Sequence, residues 1–233
     1  MRTSGVKNET TQNKRYLIFN QLRDEIIHGE YPGGTFFSEN ELCEKFGVSR
    51  TPVREALIKL ANAHYIEMIP NRGAFVPKIT LDDIVELCEL HIANDGMAFY
   101  LACSRASPEL IAAMEGSVKK QTDMMERGGF RPIEISTEDA NFHHMIINNC
   151  GNNRLIRVID DVQNQMARIT QLSADEVAVV ETLRVSLGYH VKIIDAFKRK
   201  APEASRALIQ DHWDDMKRGY IRRSINGMLS SRL

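Results

Sequence analysis

The stretch Phe46-Gly47-Val48-Ser49-Arg50-Thr51-Pro52-Val53-Arg54-Glu55-Ala56-Leu57 constrains this 233-residue chain more than any other. Gly47 supplies a permissive backbone for a tight turn. Ser49 is a good helix N-cap, and Pro52 fits a first helical turn, where its missing N–H costs little. Val53, Ala56, Leu57 and Leu60 then recur at helical spacing and can face a core. Arg50 and Arg54 are four apart and share one face. They sit near the helix N-terminus, the part that enters a DNA major groove when such a helix reads bases. The planar fork of arginine grips guanine edges or phosphates in bidentate fashion.

The flanking sequence completes a motif. Ser38-Glu39-Asn40-Glu41 has the spacing of a capping box, with Leu42, Cys43 and Phe46 as the apolar positions of a short helix. Two helices joined by a glycine turn make a helix-turn-helix. Tyr65 to Ile69 and Ala74-Phe75-Val76 read as two strands, with Pro70-Asn71-Arg72-Gly73 as the turn between them. That wing presents Arg72 at its tip, to a phosphate or the minor groove. Upstream, Ile18, Leu22 and Ile26 follow a four-residue spacing, and Gly29 with Pro32-Gly33 end that helix. Residues 14–78 are therefore expected to form a winged helix-turn-helix domain, preceded by a polar, disordered arm over residues 1–13.

Gly29-Glu30-Tyr31-Pro32-Gly33, the run from Phe46 to Leu57, and Asn71 to Val76 together resemble the GntR family of bacterial transcription regulators. The resemblance implies double-stranded operator DNA as a partner. Carried over residue by residue, it places DNA contacts at Arg50, Thr51, Arg54 and the wing at Arg72 and Gly73, with Ser49 opening the helix. Asn40, where some relatives have arginine, is a weaker candidate.

Overall charge does not announce nucleic acid, since the formal net charge is only −1. Residues 1–78 carry 11 Lys and Arg against 9 Asp and Glu, and the remainder 19 against 22, so the argument rests on local placement. Cys43, Cys88, Cys103 and Cys150 show no metal spacing and no disulfide framework, which points to a reducing cytoplasm. No signal peptide and no long apolar run is evident, so no membrane partner is expected.

From residue 79 onward the pattern is helix after helix, an all-α bundle over 79–233 beneath a mainly α fold class. Pro77 to Thr80 is a linker, and Thr80 with Asp83 caps a helix running to about Ser104. Ser107-Pro108 opens a second helix that ends at Gly128-Gly129. Phe130 to Ile135 reads as a loop and Ser136 to Asp139 as the start of a third helix. Asn153 to Gln171 is a fourth. Ser173 and Glu176 look like a further capping box, Gly188 suggests a break, and Ala201-Pro202 opens the last helix.

The chemistry of this half lies in its histidines. Asp139 and His143 share a helix face, while His190 and His212 lie on two later helices that a bundle can bring to the same point. One carboxylate and three imidazoles suit a divalent transition metal. By pattern alone, ordinary core or surface roles for these residues remain open. Asp139 to His143, Tyr189 to Ala196 and Ala207-x₄-His212 resemble the effector (FCD) domain of the FadR-type branch of the GntR family. That resemblance implies a metal held by Asp139, His143, His190 and His212: zinc, nickel or manganese, with zinc favoured. His144, one residue on, then packs or faces solvent. Many relatives have Arg-x-x-Leu-Glu where this chain has His91-Ile92-Ala93-Asn94-Asp95. His91 and Asn94 become candidates for lining the effector cavity, with an ordinary helix role for His91 equally open.

The expectation is a cytoplasmic, bacterial, homodimeric regulator, a repressor, that binds a pseudo-palindromic operator. It would sense a small-molecule effector, a carboxylate or sugar acid, at the metal. A purely structural metal and direct metal sensing are the alternatives. A metalloenzyme is remote, because no nucleophile elbow, P-loop, dinucleotide fingerprint or additional catalytic carboxylate is present.

Overall fold

The computed structural model describes residues 4–70, 72–171 and 176–230. Among the described residues, nine helices and one small sheet are formed, and the chain divides into two compact units. The first reaches Thr80 and takes in the end of a later helix from Asn164, while the second begins at Leu81. No helix among the described residues is long and apolar enough to cross a membrane.

The N-terminal unit contains α1 (Ser4–Ile27), β1 (Phe36–Phe37), α2 (Glu39–Phe46), α3 (Arg50–Asn62), β2 (Glu67–Ile69) and β3 (Gly73–Phe75). Ile18, Leu22 and Ile26 of α1 are buried against Val53, Ala56, Leu57 and Leu60 of α3, so the four-residue stripe and the helical spacing after Arg50 both find their core. Helix α1 begins at Ser4, which corrects the expectation of a disordered arm up to residue 13. A helix without an apolar stripe gives no periodic signal, and the sequence of the first turns of α1 is polar. Residues 1–3 lie outside the described residues.

Strand β1 has no counterpart in the sequence reading, because two residues are too few to show alternation. It pairs antiparallel with β3, Phe36 opposite Phe75 and Phe37 opposite Ala74, and β3 pairs on its other side with β2. Gly73 permits this pairing. Its φ is +132°, and a Cβ there would fall 2.0 Å from the Phe37 carbonyl oxygen. No other residue could sit between the wing and β1 without displacing backbone.

The C-terminal unit is built from α4 (Leu81–Ser104), α5 (Pro108–Arg127), α6 (Pro132–Asn148), the part of α7 (Asn153–Gln171) before Asn164, α8 (Glu176–Lys198) and α9 (Pro202–Ser230). Its core gathers Phe99, Met114, Phe142, Ile146, Ile193, Phe197 and Ile209. Ser107 caps α5 through its hydroxyl, as its position before Pro108 implies. Helix α6 starts at Pro132, four residues before Ser136. Glu134 accepts the backbone N–H of Arg131 at 3.0 Å, and that bond, with Pro132 in the first turn, fixes the earlier start. Helix α8 runs unbroken through Gly188, so no break occurs there. The expected capping box at Ser173 lies outside the described residues.

Two glycines give opposite expected outcomes. Gly73→Ala should destabilise the chain by about 1–3 kcal/mol through backbone strain alone, with the clash against Phe37 adding to it. Gly116 lies inside α5, and a Cβ added there would meet nothing within 4 Å. It should tolerate alanine and gain up to about 1 kcal/mol. Urea unfolding of both variants checks this pair.

Candidate functional site

Helix α2 is held at its start by a complete capping box. Ser38 Oγ accepts the Glu41 N–H at 3.2 Å, and the Glu41 carboxylate accepts the Ser38 N–H at 3.0 Å. Those bonds hold the Glu41 carboxyl below its usual range. Gly47, left-handed at φ 61°, ends the helix and turns the chain into α3. Ser49 occupies the N-cap position of α3 with extended backbone, yet its hydroxyl makes no cap hydrogen bond. That leaves it exposed with Arg50, Thr51 and Arg54, a polar strip on the face opposite the buried Val53, Ala56 and Leu57.

Asn40 joins this strip. Its Oδ1 accepts Arg50 Nη2 at 3.0 Å, so the start of α2 orients a guanidinium at the start of α3. Arg54 Nε lies 3.9 Å from Glu39, a loose and exposed pair that leaves the head free to exchange partners. Arg72 is exposed in the turn between β2 and β3, and Asn71 lies outside the described residues. Gly73 is buried, and its evident work is the approach to Phe37 described above.

The second constellation is buried in the C-terminal unit. His143 on α6, His190 on α8 and His212 on α9 each offer a ring nitrogen, and the three lie within 4.8 Å of one another. His143 Nε2 and His190 Nε2 are 3.1 Å apart. Two nitrogens each about 2.1 Å from one ion would be separated by about 3.0–3.4 Å, so this pair is already at ligand spacing. Packing fixes the rings: Phe142 stacks on His190 at 3.9 Å, and His143 stacks on His212 at 5.0 Å.

Burial pushes His143 and His212 down to about 3 and His190 well below its ordinary value, with neighbouring imidazoles adding to the effect. All three are therefore neutral at pH 7, the form that donates a lone pair to a metal. Their Nδ1 atoms are buried and make no hydrogen bond. Asp139, one turn before His143, lies beside these three rings. Its Oδ1 is 3.7 Å from His190 Nε2 and its Oδ2 3.9 Å from His143 Nε2. Burial raises its carboxyl to about 6, opposed by a hydrogen bond from Ser186. A divalent cation would favour the ionised carboxylate and relieve the packing of neutral donors against one another. The residues fit such an ion.

The two effector-cavity candidates part company. His91 on α4 is fully buried, stacked on Trp213 at 4.1 Å, with Nδ1 3.3 Å from Asp95. Asn94 instead donates its amide to the Leu90 carbonyl of its own helix. Asp95, not singled out from sequence, is wholly buried and accepts Trp213 Nε1 at 2.8 Å, while its Oδ1 and His91 Nε2 have no partner. Trp213 lies next to His212 in the chain and 6.1 Å from the His143 ring, so this polar group adjoins the imidazoles. Ser186 is also absent from the sequence-based set. A signal for it exists: it precedes His190 by four residues, as Asp139 precedes His143.

The gntR family of bacterial regulatory proteins matches residues 16–76, and the FCD domain matches residues 86–215. The chain is 28% identical over 207 residues to the HTH-type transcriptional repressor RspR of Escherichia coli K12, covering 88% of each. It is 27% identical to the HTH-type regulator YdhC of Bacillus subtilis 168, covering 85% of this chain and 88% of that one. Its fold is similar to that of E. coli McbR/YncC, with a TM-score of 0.66, 19% identity and coverage of 94% and 99%. A helix-turn-helix with an arginine-bearing second helix, a three-stranded wing and a helical domain of this matched type make the chain a member of the GntR family of bacterial transcription regulators, with a C-terminal FCD domain, and not an enzyme.

Proposed function

We propose that this regulator is a cytoplasmic homodimeric repressor of the FadR-type branch that releases its operator in response to a small carboxylate or sugar acid bound at a metal in its FCD domain. The observation that carries the reading is the convergence of His143, His190 and His212 from three helices onto one buried point. A helical core has little reason to bury three neutral imidazoles at such spacing unless something shares their lone pairs. The repressor RspR is similar along most of its length. Four free cysteines suit a reducing compartment.

Under this reading Asp139 and the three histidines hold the ion, and the coordination positions left open accept effector oxygens. Zinc is favoured by the nitrogen-rich set. His91 and Asp95 offer a ring nitrogen and a buried acceptor to effector hydroxyls nearby, in place of an arginine that would grip a carboxylate. On the DNA side, Arg50, steadied by Asn40, and Arg54 read bases or clamp phosphates, while Thr51, Ser49 and Arg72 contact the backbone. Gly73 serves through the wing's shape. Effector binding shifts the equilibrium between two arrangements of the dimer by its differential affinity for them.

Arg54→Ala should weaken specific operator binding by about 1–3 kcal/mol, read by fluorescence anisotropy at fixed salt. Near-wild-type affinity would contradict the docking of α3. Elemental analysis should find about one transition-metal ion per chain, lost in His190→Ala. A chain that takes up no zinc, nickel or manganese would end the metal reading and leave DNA binding intact. Titration of operator-bound protein with sugar acids should release DNA from the metal-loaded form and not from the stripped form. Release independent of the metal would assign the ion a structural role.

A further inference from the structure

Asp139 is the weakest-placed member of the metal set. It lies at the edge of the triad, its side chain is 20% exposed, and it approaches the imidazoles no closer than 3.7 Å. A short carboxylate on a helix has several rotamers available, and only some face the ion. Something must select among them if four residues are to hold a cation.

Ser186 is placed to do so. It is buried on α8, 1% exposed, and its Oγ lies 2.5 Å from Asp139 Oδ1. The same oxygen is 3.2 Å from His190 Nε2, four residues further along its own helix. A hydroxyl has one proton to give and two lone pairs to accept with. Donating that proton to Oδ1 fixes one carboxylate oxygen and leaves Oδ2 free of that bond, 3.9 Å from His143 Nε2. Oγ also lies beside the ring of His190. A single buried hydroxyl therefore touches ligands from two different helices.

We propose that Ser186 is a positioning residue of the metal centre, which orients the Asp139 carboxylate for single-oxygen coordination. The proposal rests on the metal reading above. Outer partners of this kind typically change metal affinity about 10–100-fold when removed. Mid-helix serine has a lesser use, hydrogen bonding back to its own helix, but here the hydroxyl is directed to α6.

The test uses the full chain and zinc alone, with affinity measured by chelator competition and the coordination sphere by cobalt(II) absorption. Ser186→Ala should bind zinc about 10–100-fold more weakly, with an altered cobalt spectrum and an unchanged melting temperature of the stripped protein. Ser186→Thr, which keeps the hydroxyl, should recover most of the affinity. In an Asp139→Ala background, adding Ser186→Ala should lower affinity no further, because Ser186 acts through Asp139. Wild-type zinc affinity in Ser186→Ala, or additive losses in the double variant, would overturn the proposal. A melting temperature that falls in step with affinity, with threonine failing to rescue, would overturn it too. Absence of zinc in the wild type is a different result, which removes the metal reading itself and this proposal with it.

Discussion

Three imidazoles packed at the centre of a helical domain set the terms for everything around them. Removing each ring from water costs free energy, and placing the three side by side makes their protonation still less favourable, which holds them neutral. Neutral rings at ligand spacing are good donors of lone pairs, and with one N–H each they can satisfy one another only in part: His143 and His190 face each other through Nε2, while all three Nδ1 atoms stay without a partner. The surrounding core accepts this arrangement because Phe142 and its apolar neighbours pin the rings, and because α6, α8 and α9 each contribute one. The site is thus a polar knot tied by three separate helices.

The N-terminal unit is readable almost residue by residue, since its signals are local. The capping box at Ser38, the left-handed turn at Gly47 and the apolar stripe of α3 depend on neighbours within one helical turn. Strand β1 and the role of Gly73 are not readable, since both depend on a contact between residues more than thirty positions apart. The same division holds in the helical domain. The start of α5 follows from Ser107 and Pro108, whereas α6 begins early because Glu134 caps it, a partner easily passed over when Ser136 has the right chemistry for an N-cap.

Within the candidate metal site, the ligand types can be named from their spacing and from the family resemblance. The groups that hold them cannot. Asp95 and Trp213 are far apart in the chain and meet only because α4 packs along α9. Asn94 has suitable chemistry beside His91, yet its amide is committed to its own helix. Polar residues on a buried face announce that something must satisfy them, but not which element will do so. On the DNA side the same holds for Asn40, whose contact with Arg50 bridges two helices and gives it a use that does not need a base edge.

Asp139 with His143 and Ser186 with His190 are two copies of one spacing, four residues, on two helices that face each other. Each copy rises about 6 Å along its helix. The four groups therefore form the rungs of a short ladder, with one rung from Asp139 to Ser186 and the next from His143 to His190. A ladder of this kind measures axial position. If α8 changed its register against α6 by a single residue, a rise of about 1.5 Å and a turn of about 100°, both rungs would fail together. The domain thus contains its own gauge of helix register, and anything that strengthens the lower rung makes the upper one harder to shift.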